Sequence, residues 1–83
     1  MEHRFSVVSA LKAFNRITQR GEKGAEGHVL DGVTARAEYD GYTVSMTDGR
    51  VTLYIYFHNK YKFDFERSAD LDRFMETLER LSE

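Results

Sequence analysis

The hydrophobic pattern of this chain changes period twice. Val7, Ala10, Leu11, Phe14 and Ile17 recur at spacings of three and four, which places them on one stripe of a helix. Ser6 stands where an N-cap belongs, and Gly21 where a left-handed glycine would end the element, so the spacing predicts a helix over about 6–20. Phe5 lies off the stripe and is either stapled against the first turn or exposed. Gly21 to Gly27 reads as a loop by composition.

The period then becomes two. Val33, Ala35, Ala37 and Tyr39 alternate with polar residues, as do Tyr42, Val44 and Met46, then Val51, Leu53, Ile55 and Phe57, then Tyr61, Phe63 and Phe65. Asp40-Gly41 and Asp48-Gly49 separate the first three runs. Asp-Gly between alternating runs predicts a two-residue hairpin, because both turn positions of a type I′ turn have positive φ. Such turns pair Tyr39 with Tyr42, Ala37 with Val44 and Ala35 with Met46, and then Met46 with Val51, Val44 with Leu53 and Tyr42 with Ile55. A three-residue third loop, His58 to Lys60 with Lys60 left-handed, sets Phe57 against Tyr61, Ile55 against Phe63 and Leu53 against Phe65. Every apolar residue then meets an apolar residue, so the hairpins agree on which face is buried.

Leu71, Phe74, Met75, Leu78 and Leu81 form the stripe of a closing helix over about 68–82, with Ser68 as N-cap, Asp70 and Asp72 near its positive end and Arg80 near its negative end. Val29 and Leu30 either extend the first strand past a bulge at Gly32 or form a separate arm. Four strands at about 4.8 Å spacing make a sheet about 19 Å wide, which two helices about 10 Å across can cover. The expected fold is α+β, one domain over 1–83. It is a two-layer sandwich, helix–four-stranded antiparallel meander–helix, with both helices on one sheet face.

The segments Gly32-Val33-Thr34-Ala35, Tyr39-Asp40-Gly41-Tyr42-Thr43-Val44, Thr47-Asp48-Gly49 and Phe57-His58-Asn59-Lys60-Tyr61-Lys62-Phe63-Asp64 resemble a family of small uncharacterised bacterial proteins grouped as a domain of unknown function. The resemblance covers nearly the whole chain. It implies a bacterial cytoplasmic origin and brings no activity, ligand or functional residue with it.

Composition narrows the chemistry. The 83 residues are 41% hydrophobic and 13% aromatic, a globular balance. With no cysteine there are no disulfides, thiolate metal sites or Cys nucleophiles. A net charge of −2 gives no overall pull toward nucleic acid or anionic membrane. No apolar stretch approaches a membrane span, and Met1 to Phe5 has no apolar run behind a basic start, so a cytoplasmic location is expected.

The candidate motifs mostly reduce to loop chemistry. Gly21, Gly24 and Gly27 lead from a helix into a strand, the reverse of a phosphate loop. His28, Asp31 and Glu26 could ligate a metal, but two of the three are expected on opposite sides of the chain, and no second histidine stands at helical spacing. His58 has hydroxyls nearby but no convergent pocket, and reads as a solvated turn histidine. Asp31, Asp40 and Asp48 each precede glycine, as turns require. No catalytic, cofactor or metal residue is assigned.

The solvent face of the meander is different. It presents Tyr54 and Tyr56 among Arg36, Thr43, Ser45 and Lys62, with Tyr54 opposite Thr43 and Asp64, and Tyr56 opposite Lys62. The expected function is a non-enzymatic binding or adaptor module acting through this face or an edge strand, with a protein partner or a second copy. Stacking of single-stranded nucleic acid on the tyrosines is the second reading, against which Glu38, Asp64 and Glu66 offset the basic residues. An enzyme ranks third, because so thin a domain has little depth for a water-excluding pocket.

Overall fold

The computed structural model describes residues 5–56, 58 and 60–83. Helix α1 (Val7–Arg20) is followed by β1 (Glu22–Gly24), β2 (Gly27–Leu30), β3 (Val33–Ala37), β4 (Val44–Thr47), β5 (Thr52–Ile55), β6 (Tyr61–Asp64) and helix α2 (Ser68–Leu81). The strands form one six-stranded antiparallel meander in chain order. The class is α+β. The four strands expected from periodicity are joined by two more, from the glycine-rich segment read as a loop.

That segment folds back on itself as a hairpin. Glu22 pairs with Val29 and Gly24 with Gly27, and β2 then pairs antiparallel with β3 through Leu30–Val33 and His28–Ala35. Residues 22–31 therefore neither extend the first strand nor form a separate arm. All of β1 is exposed, so no apolar alternation marks it. Its pairing rests on backbone hydrogen bonds, which carry no side-chain signature. The turn between β2 and β3 is Asp31-Gly32, at φ 52° and 78°. This is where the positive-φ pair of an Asp-Gly hairpin occurs.

The other two Asp-Gly pairs use the aspartate differently. Asp40 Oδ1 accepts from the N–H groups of Tyr42 (2.8 Å) and Thr43 (2.9 Å), and Asp48 Oδ1 accepts from those of Arg50 and Val51, both at 2.9 Å. Each carboxylate thus holds the chain two and three residues on, as in an Asx turn, and neither aspartate is left-handed. At the first, Ala37–Val44 and Ala35–Met46 pair as expected, but the ladder ends at Ala37. Tyr39 and Tyr42 lie beyond the ladder and stand exposed. At the second, Asp48 opens the turn instead of occupying its centre, and its N–H donates to the Val51 carbonyl at 3.2 Å. The pairing moves by two residues: Val44 meets Ile55 and Met46 meets Leu53.

The third hairpin slips by two as well. Ile55 meets Tyr61 and Leu53 meets Phe63, and the Tyr56 N–H donates to the Lys60 carbonyl at 2.6 Å. His58, not Lys60, is left-handed, at φ 63°. The expected pairing of Phe57 with Tyr61 lies outside the described residues. A slip of two preserves the face of every side chain, whereas a slip of one would invert it. Burial alone therefore does not distinguish the expected register from the observed one.

Both helices contribute to the core on one face of the sheet. Ala10, Ala13 and Ile17 of α1 and Phe74, Leu78 and Leu81 of α2 cluster with Val33, Ala35, Met46, Leu53 and Ile55. Phe5 lies against Tyr61 and Phe63, with ring centroids 4.4 and 5.0 Å apart, and ties the start of α1 to the far edge strand. Ser6 caps α1, accepting from the Ser9 N–H at 3.4 Å. Gly21 ends α1 in an extended conformation, φ −76° and ψ 162°, not a left-handed one. Its glycine serves close approach: a Cβ there would lie 2.5 Å from the Ile17 carbonyl and 2.6 Å from that of Val29. The N-cap of α2 is Arg67 rather than Ser68. The Arg67 carbonyl already accepts from Asp70 and Leu71, and no side chain caps that end.

Candidate functional site

The face turned away from the helices is organised in three rows that run across the strands. The outer row is Glu22, Val29, Thr34, Thr47, Thr52 and Asp64; the middle row is Gly24, Gly27, Arg36, Ser45, Tyr54 and Lys62. The third row, at the ends of the strands, brings Glu38 opposite Thr43 and Tyr56 opposite Lys60 through backbone hydrogen bonds.

Each residue singled out from the sequence lies on this face, in different neighbourhoods. Tyr54 and Tyr56, two apart on β5 and its extension, stack with centroids 6.3 Å apart and ring planes within 12°. Tyr54 sits between Ser45 and Lys62, not between Thr43 and Asp64 as the unshifted register implied, and the main-chain neighbour of Tyr56 is Lys60 rather than Lys62. Arg36 is held at home: its guanidinium meets Glu38 Oε2 at 3.0 Å and Glu26 Oε2 at 3.2 Å. Thr43 is 7% exposed and offers a partner almost no surface.

The Thr43 hydroxyl donates to Asp40 Oδ2 at 2.7 Å. That bond, with the two backbone N–H groups on Oδ1, holds the Asp40 carboxyl below the usual carboxylate range. Ser45, also buried, donates to Glu38 Oε1 at 3.4 Å. In the outer row, hydroxyls of Thr47 and Thr52 meet at 3.1 Å.

The face therefore has two unlike halves. Over β1–β3 it is hollow and acidic, with Gly24, Ala25 and Gly27 offering little side chain, Glu26 and Glu38 on Arg36, and Glu22 in the outer row. Over β5–β6 it is raised and carries the tyrosine pair beside Lys60 and Lys62, with Asp64 at its outer corner, all three charged residues exposed. Glu26 and Lys60 belong to this face, although the sequence suggested only a ligand and a turn residue. The missing signal was the hairpin register, which places Glu26 at the tip above Arg36.

A concavity of about 770 Å³ runs from the acidic hollow to the side of α1, lined by Gly24, Glu26, Gly27, Arg36 and Glu38 of the open face and by Phe14, Thr18, Lys23 and His28. His28 stands in line with Lys23 and Ala35, Glu26 bonds Arg36, and Asp31 is in the turn at the other end of β2. Among the described residues no three His, Asp or Glu side chains stand close enough to hold a metal. No helix among them is long and apolar enough to cross a membrane.

These features define a small α+β protein whose two helices and six-stranded antiparallel sheet share one buried core. The chain belongs to the family described as protein of unknown function, DUF3081, which it matches over residues 7–83. No curated protein and no solved structure matches it.

Proposed function

We propose that this domain is a non-enzymatic binding module that carries both helices on one sheet face and takes a protein partner on the other. The stacked Tyr54–Tyr56 pair on that face carries the reading. Tyrosine supplies large, rigid contact area with a polar tip and is enriched in protein interfaces, as is arginine. Replacing both, Tyr54→Ser with Tyr56→Ser, should leave circular dichroism unchanged, because neither ring belongs to the buried core. The same variant should lose partner capture or self-association, read by pull-down and by sedimentation. If it keeps every partner and the wild-type oligomeric state, the reading fails.

One observation favours a second reading, binding of single-stranded nucleic acid. The shifted register sets Tyr54 beside Lys62, and Tyr56 beside Lys60, and moves Asp64 into line with Thr52. Stacking platforms beside cations are how such strands are held. Titration with a labelled oligonucleotide at about 50 and 200 mM salt separates the two, since phosphate contacts weaken steeply with salt.

A further inference from the structure

We infer that the occupant of the open face is a second copy of this chain, packed face to face about a two-fold axis parallel to the strands. The inference rests on the open-face reading above and names its partner. Such an axis keeps each row over itself and exchanges the strands, β1 over β6, β2 over β5 and β3 over β4 of the other copy.

The two halves of the face suit that operation in shape and in charge. In the middle row, Tyr54 of one copy descends on Gly27 of the other, and Lys62 on Gly24. Two of the row's three large side chains thus meet the positions with none, and the third, Arg36, meets Ser45. In the end row, Lys60 comes to the β1–β2 tip, where Glu26 stands exposed beside Arg36. In the outer row Thr34 meets Thr47, and Val29, 40% exposed in one copy, is covered by Thr52 of the other. A C2 interface must be complementary to itself, and a patch that is raised and basic at one end and hollow and acidic at the other meets that condition.

One rim contact opposes it, Asp64 against Glu22. The area is also modest. Six strands at about 4.8 Å spacing by three rows about 6.7 Å apart give roughly 500 Å² per copy, about 1,000 Å² in all, the lower bound for a specific interface. The dimer is accordingly weak, half-formed at roughly 10–500 μM, and weaker in high salt.

The test is sedimentation equilibrium on the full chain across that range, with Lys60→Glu and Glu26→Lys made separately and then mixed. Wild type should move from 9.7 kDa toward twice that mass. Each variant alone should dissociate at least about 10-fold more readily, since each places like charges at both symmetric contacts. The equimolar mixture should recover wild-type association within about 3-fold, because each contact then pairs opposite charges.

Gly24→Gln is a variant independent of charge. The Gly24 backbone is ordinary and a Cβ there meets only the Gly27 carbonyl, at 3.7 Å, so the domain should fold while its hollow is filled and the dimer lost. Wild type that stays monomeric at about 1 mM overturns the inference, as does a mixture that stays as dissociated as its components. Either result leaves the open-face reading to its own tyrosine test, whose outcome with other partners does not depend on self-association.

Discussion

At the residue scale, the aspartates and glycines of the turns do more than their dipeptides announce. Asp40 is held ionised by the Thr43 hydroxyl and two N–H groups, so its carboxyl has a lower pKa in the folded chain than in the unfolded one. A depressed carboxylate contributes stability that is present above the unfolded pKa, about 3.9, and is lost as pH falls through the folded value. Asp40→Asn should therefore be less stable than wild type at pH 7, and the gap in urea midpoint should narrow only below about pH 4. A gap that persists undiminished at pH 2 would show that the charge is not what the turn uses. Gly21 offers a second test. Its φ suits any residue, yet a Cβ would strike two backbone carbonyls. Gly21→Ala should cost about 3 kcal/mol, at the upper end for overpacking. Gly41→Ala, at φ 76° with open space around it, should cost only the left-handed penalty of about 1–2 kcal/mol. Chemical denaturation that ranks them the other way would place the constraint in dihedral strain.

At the scale of elements, the largest fully buried side chain belongs to helix α2. Phe74 is fully buried and meets Phe63 edge to face, centroids 6.5 Å apart. Phe74→Ala should cost about 3–5 kcal/mol, through lost transfer energy and the cavity left behind. Thr52, on the opposite face of β5, is half-exposed, and Thr52→Ala should change stability by less than about 1 kcal/mol. Equal shifts of the urea midpoints would put the wrong face of β5 inside. The Arg50–Asp70 pair that joins the β4–β5 turn to α2 spans 3.6 Å with Arg50 largely exposed, and such a pair adds little beside the ring contact.

At the scale of the molecule, the sheet is graded from centre to edge. β3, β4 and β5 carry the fully buried Val33, Ala35, Met46 and Leu53, whereas β1 is exposed throughout and paired on one side only. Amide hydrogen exchange should be slowest in β3–β5, close to the rate of global unfolding, and fastest in β1. Protection of β1 equal to that of β4 would mean that the hairpin is covered in solution, as it would be in the face-to-face dimer at high concentration.

The hydrophobic periods determined a good deal by themselves. Both helices, the four strands β3–β6 and the buried side of each were legible, because burial acts on side chains one at a time and leaves period 3.6 or 2 in the sequence. The gathering of Arg36, Tyr54, Tyr56 and Lys62 on one face follows from that same parity. Tertiary structure decided what depends on the backbone. It made a hairpin of Glu22–Leu30, whose residues bury too little to carry a pattern. It also moved two registers by two residues, a shift to which face parity is blind. The Asx bonds of Asp48 settled the first of those shifts, and the left-handed residue at His58 accompanies the second. The neighbours of the tyrosines, Lys60 and Lys62 instead of Asp64, follow from the register. So does the division of the open face into an acidic hollow and a basic rise.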